Sequence, residues 1–186
     1  RRPLAWPRVS KVSANMADLA RKIAVMTGTR ADYGLLRPLI AAVDASPEAE
    51  LQLIVTGSHL SAAHGMTVGE VKAAGFDIAA EVAIWGESDS SLDAAVDTGE
   101  AIAKFARTLN DLKPDVVVVL GDRLEAFAMA AAATVLLIPV AHVHGGELTE
   151  GAMDDALRHS ITKLSYLHFT TTEGHRHRVE QLGEAP

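Results

Sequence analysis

Cysteine is absent from the 186 residues, and aromatic residues make up only 4% of them. Without cysteine there is no disulfide, no thiolate nucleophile and no cysteine-ligated zinc site. The absence fits a cytoplasmic protein. A net charge of −7 leaves no broad basic surface, which argues against nucleic acid and anionic membrane as partners. A local pocket of arginines for one phosphorylated ligand stays open. The longest apolar stretch, 126–143, is interrupted by Pro139 and filled largely by alanine. It reads as a buried helix followed by a buried strand, not as a membrane span. No hydrophobic segment follows the basic start, so a secretory signal is not expected.

What is present is 48% hydrophobic, much of it alanine and valine. That balance favours a layered α/β protein with one substantial core. Residues 1–20 read differently. Arg1, Arg2, Arg8 and Lys11 precede the first acid, Asp18, and two prolines interrupt the stretch. Met16 is the candidate natural start. Residues 1–20 are therefore expected to be a disordered or non-native extension, and 21–186 the folded domain.

From there, short apolar runs alternate with helical patterns. Strands are expected at 22–27, 51–56, 78–84, 116–120, 140–143 and 167–170. Helices are expected at about 35–45, 68–74, 92–112, 124–136, 152–164 and 173–182. Pro38 is tolerated only near a helix start, Gly75 ends the second helix, and the polar loop 86–91 is expected to be mobile. Val116–Leu120, apolar throughout, suits a strand buried on both faces of a parallel sheet. The alternation predicts a doubly wound, Rossmann-like parallel sheet.

Polar residues collect at the ends of these strands, where open parallel sheets bind ligands. Gly28-Thr29-Arg30-Ala31-Asp32-Tyr33-Gly34 can hold an anion with backbone amides and Arg30. It is neither a Walker loop nor a GxGxxG fingerprint, and an ordinary turn with a surface arginine is an equal reading. His59 sits at the second strand end. Asp122, in Gly121-Asp122-Arg123, can take a proton, hold a sugar hydroxyl, bind a metal, or cap the next helix.

Strand alternation puts His142 and His144 on one face, with Glu147 just beyond two glycines. With Asp122, Asp154 and Asp155 they suit a metal site or a proton-transfer centre. Hydrogen-bonded histidines at a sheet edge are the bland alternative. Asp154 and Arg158 have ordinary i,i+4 ion-pair spacing, and His159 follows. His175 and His177 read as part of a solvated helix face.

Five stretches together resemble the UDP-N-acetylglucosamine 2-epimerase family, in its hydrolysing branch used for sialic-acid-type sugars. They are GTRADYG (28–34), TGSHL (56–60), PDVVVVLGDRLE (114–125), HVHGGELTEGAMDDALRHSITKLSYLHF (142–169) and TTEGHRHRVEQLGE (171–184). The third and fourth are long and specific, and the likeness spans about 22–186. It implies the amino-terminal half of a two-domain glycosyltransferase-B arrangement, with the site in the interdomain cleft and the second domain absent. It implies a UDP-sugar substrate, a homo-oligomer at full length, and no metal or nicotinamide cofactor.

The implied reaction removes the C2 proton, expels UDP from C1, and hydrates the resulting glycal to a free N-acetylmannosamine-type sugar. By position, Arg30 matches the family's phosphate-proximal arginine, Asp122 and Asp154 its acids, and Arg158 and His159 its Arg-His pair. His142 matches the first polar strand-end position, and Asp32 and His59 are taken as further substrate-binding residues. At 144 many relatives carry a glutamate, so the acid/base task falls to His144 or to Glu147. The rival expectations are a non-hydrolysing 2-epimerase, a non-catalytic sugar-nucleotide binding module, and a metal-dependent hydrolase.

Overall fold

The computed structural model describes residues 20–62, 65–86, 90–151 and 153–185. The expectations for residues 1–19 and for the centre of the 86–91 loop lie outside the described residues.

The described chain alternates strand and helix from end to end. The strands are β1 (Arg21–Thr27), β2 (Ala49–Thr56), β3 (Ile78–Val82), β4 (Val116–Leu120), β5 (Val140–Val143) and β6 (Leu167–Phe169). The helices are α1 (Arg30–Asp44), α2 (Val68–Ala73), α3 (Ser91–Leu112), α4 (Leu124–Val135), α5 (Asp154–Leu164) and α6 (Glu173–Gln181). All six strands pair in parallel, in the order β3-β2-β1-β4-β5-β6. The expected doubly wound sheet is the observed one.

Strand parity divides the core. Ala24 and Met26 of β1, with Val117 and Val119 of β4, pack against α3, α4 and α5 through Phe105, Met129, Ala133 and Ile161. Val25 and Val118 face the other way, with Leu53 and Val55, onto Leu36, Ile40 and Val71 of α1 and α2. Six of the twelve residues of α4 are buried alanines or Met129, so this helix sits among its neighbours on nearly every side. That accounts for the long apolar stretch in the sequence. Among the described residues no helix is long and apolar enough to cross a membrane.

Two local expectations are corrected. Helix α1 begins at Arg30, several residues early, because Thr29 caps it by accepting the Asp32 amide at 3.1 Å. Pro38 then falls inside the helix and not at its start. The buried stripe Tyr33, Leu36, Ile40 and Val43 holds the helix on the sheet despite the missing backbone bond.

Phe105 is fully buried at the centre of the larger core. Phe105→Ala is expected to cost about 3–5 kcal/mol, read as a lower urea midpoint with an unchanged denaturant slope.

Candidate active site

The order of the strands creates a switch point between β1 and β4, from which the chain winds in opposite directions. In such sheets the crevice lies outside the carboxyl ends of those strands. Here the β1 end meets the β2 end closely. Gly28 lies under Gly57, and a Cβ on Gly28 would come 2.5 Å from Oε1 of Glu125. Only glycine lets the three segments meet.

A buried network lies at the β4 and β5 ends. The Arg158 guanidinium points inward from α5 and is 4% exposed. Its Nη2 donates to Oδ2 of Asp122 and, at 2.6 Å, to Oγ1 of Thr149, while Nη1 donates to the His144 carbonyl at 2.7 Å. Thr149 Oγ1 lies 3.0 Å from the same Asp122 oxygen. Glu147 places Oε2 3.8 Å from Arg158 Nη1 and Oε1 3.2 Å from His144 Nδ1. The N-cap of α4 is Arg123, and the Asp122 carboxylate turns to Arg158, which disposes of the capping alternative. Arg158 likewise spends its charge on Asp122, so the simple helical pairing with Asp154 is not what orients it.

His142 and His144 behave differently because β5 ends between them. His144 has φ +67° and has left the strand, so alternation does not extend to it. Its backbone is held in this costly region by the Arg158 bond to its carbonyl and by its amide donating to the Phe169 carbonyl at 2.9 Å. His142 is fully buried, with Nε2 2.7 Å from the Gly121 carbonyl and Nδ1 3.2 Å from Thr162 Oγ1. The carbonyl can only accept, so Nε2 carries the proton. Burial holds the ring neutral and pushes its pKa down to about 4, against the opposing pull of the Gly121 bond. Both ring nitrogens are thus occupied within the fold.

Beside this network runs a cleft of roughly 390 Å³, lined by Trp85, Asp97, Asp122, Arg123, Glu125 and Asp154 among others. Arg123 and Glu125 escaped the sequence reading. Glu125 is 2% exposed, and its Oε1 takes a hydrogen bond from Arg123 Nε at 3.0 Å. Arg123 itself lines the cleft. Asp32, in the first turn of α1, lies near enough to feel Arg123. Burial raises the pKa of both Asp32 and Glu125, and Arg123 opposes the rise in each. The available signal was Glu125 itself, a single acid at the head of an otherwise apolar helix.

The other candidates are dispersed. His59 is buried between Thr27 Oγ1 at 3.0 Å and Thr67 Oγ1 at 2.7 Å, with the Tyr33 ring edge-on. Arg30 is exposed and ion-paired to Glu70 on α2 at 3.0 Å. His159 faces a shallow groove with Phe127, Ala131 and Leu164, away from Arg158. Among the described residues no three histidine or acid side chains converge as metal ligands.

A family model described as UDP-N-acetylglucosamine 2-epimerase matches residues 41–186. The chain belongs to this family. It is 41% identical over 164 residues to a GDP/UDP-N,N′-diacetylbacillosamine 2-epimerase (hydrolyzing) of Campylobacter jejuni, covering 88% of this chain and 42% of that protein. It is 43% identical over 168 residues to a UDP-N,N′-diacetylbacillosamine 2-epimerase (hydrolyzing) of Legionella pneumophila, covering 89% of this chain and 44% of that protein. Among solved structures, a Methanocaldococcus jannaschii UDP-GlcNAc 2-epimerase in complex with UDP-GlcNAc and UDP superposes with a TM-score of 0.74. That pair is 26% identical, over 88% of this chain and 44% of the other. The chain thus spans less than half the length of the relatives it matches.

The neutral His142 makes stability depend on pH. The unfolded chain takes up a proton near pH 6.5 and the folded state only near 4, so stability falls as pH drops through that window. The full span amounts to about 3 kcal/mol. His142→Gln is expected to remove most of this pH dependence when urea midpoints at pH 7 and pH 5 are compared with those of the unaltered protein.

Proposed function

We propose that this chain supplies the sugar-facing half of the active site of a hydrolysing 2-epimerase that acts on a UDP-N-acetylhexosamine. The observation that carries the reading is the convergence of Asp122, His144, Glu147 and Arg158 at two neighbouring strand ends, beside a cleft. The two bacterial relatives with "hydrolyzing" in their names favour this branch and a UDP-diacetamido sugar or UDP-N-acetylglucosamine as substrate.

The chemistry asks for three things. A base must remove the proton from C2, negative charge must be accepted as the C1–O bond to UDP breaks, and an acid must return a proton to C2. Breaking the C1–O bond with loss of the C2 proton gives a glycal. Water then adds its oxygen to C1, and a proton enters C2 from the opposite face, giving the free 2-epimer and UDP. Inversion needs donors and acceptors on two sides of the sugar ring. Asp122 and Asp154 border the cleft, and the His144–Glu147 pair is joined to Asp122 through Arg158. Proton exchange of this kind suits carboxylates and imidazoles held within reach of the substrate.

Arg123 is the cleft-lining cation best placed for the diphosphate, where a guanidinium fork matches phosphate oxygens. Arg30, paired to Glu70 at the surface, would have to release that acid first. Arg158 serves as the clamp that holds Asp122 and the His144 backbone in place, and His59, Asp32 and His142 shape the strand ends behind it.

The test is to incubate the gene product carrying this chain with UDP-N-acetylglucosamine and with a UDP-2,4-diacetamido sugar in D₂O, followed by NMR. Free 2-epimer with deuterium at C2, plus UDP, is the expected result. Intact UDP-linked 2-epimer would transfer the protein to the non-hydrolysing branch, and binding without turnover would make it a sugar-nucleotide module. Glu147→Gln is expected to lower kcat by about 10²–10⁴-fold.

A further inference from the structure

Glu147 is held from a side that neither the sequence nor the proposed reaction uses. Its Oε1 accepts a hydrogen bond from Oγ1 of Thr171 at 2.9 Å, and the same Thr171 oxygen lies 2.7 Å from Nδ1 of His175. Thr171 stands just before α6 and His175 in its first turn, where the His175 amide donates to the Thr172 hydroxyl at 3.2 Å. The turn carrying Glu147 rests directly on this segment. A Cβ on Gly146 would come 2.2 Å from the His175 carbonyl, and Arg178 Nη1 donates to the Gly146 carbonyl at 3.0 Å.

We infer that Thr171 and His175 form a proton relay that positions Glu147 and reloads it from behind the sugar site. The inference rests on the reading of Glu147 as a proton donor to the sugar. The direction of the relay follows from the inventory of donors. An ionised Glu147 can only accept, so the Thr171 hydroxyl proton points at it, and the Thr171 oxygen is left to accept from His175 Nδ1–H. In one transfer the His175 imidazolium loses its Nδ1 proton to the Thr171 oxygen. The original Thr171 hydroxyl proton moves to Glu147 Oε1. The outcome is a neutral imidazole, an unchanged threonine and a protonated Glu147. The imidazole, half-buried at the surface of α6, recovers its proton from solvent. Such a path matters because an epimerase acid spends its proton into C2 while substrate covers its front. Arg158 holds the carboxylate from the α5 side, and His144, 3.2 Å from the same Oε1, from the β5 side.

Two measurements test this. The first needs no turnover. The ¹⁵N shifts of His175 in the gene product carrying this chain, recorded at about pH 9, above the ordinary carboxylate and imidazole ranges, should report the Nδ1–H tautomer of the neutral ring, and Thr171→Val should shift it toward Nε2–H. An Nε2–H tautomer in the unaltered protein at that pH overturns the relay whatever the enzyme does. The second is steady-state kinetics. Thr171→Val should lower kcat roughly tenfold, a fraction of what positioned proton transfer contributes. KM should stay within about twofold, and Thr171→Ser should restore kcat, because serine keeps the hydroxyl. An unchanged kcat, or a loss confined to KM, overturns the relay and leaves the epimerase reading standing. Absence of turnover in the unaltered protein overturns the epimerase reading, and the tautomer then decides the relay by itself. Thr171 is exposed, and a melting curve confirms that Thr171→Val still folds.

Discussion

The interaction on which the site depends is the buried contact between Arg158 and Asp122. One guanidinium joins the end of β4 to the end of β5, and it does so by gripping Asp122, Thr149 and the His144 carbonyl together. A cation this deeply buried is tolerable only with its partners in place. Losing one partner of such a pair typically costs several kcal/mol, because the other charge stays buried alone. The left-handed backbone of His144 hangs on the same contact. Strain at that residue and the electrostatics of Asp122 are therefore two consequences of one side chain.

The sheet decides where this contact can be made. Parallel strands deliver all their carboxyl ends to one edge, and the β1–β4 switch point opens a crevice there. The edge carries two polar groupings. One, around Arg158, joins β4, β5 and α5. The other, Arg123 with Glu125 and Asp32, lies over the glycine contact where β1 and β2 meet. Asp122 and Arg123, adjacent in sequence, belong to one grouping each, and both line the cleft. The Arg158 network and the Arg123–Glu125 pair thus share a single tight turn.

Much of the fold was legible from periodicity. Val116–Leu120 emerged as β4 at its expected bounds, and α3 emerged close to its expected span, with its buried face running through Thr98, Ala101, Phe105 and Leu109. The start of α1 was misplaced because its cap is a single threonine hydroxyl, and Pro38 suggested a boundary where buried packing carries the helix through. In the site, Asp122, His144, Glu147 and Arg158 were all recognisable as chemistry-bearing residues and do converge. Arg123 and Glu125 were passed over, since nothing local shows that Glu125 turns back over Gly28. His175 read as part of a solvated helix face because its link to Glu147 runs through Thr171, 24 residues along the chain from that acid.

By itself the sequence determined the alternation of elements, the apolar identity of the central strands and the family. These are properties of spacing and residue type, written within short windows. Only the tertiary structure decided which polar groups are spent on holding the fold and which face the cleft. His142 and His144 are two residues apart, yet one is locked neutral between Gly121 and Thr162 while the other turns out beside Glu147. The difference arises because the strand stops at Val143, and α5 then offers Thr162 to the first ring and Arg158 to the second residue's carbonyl.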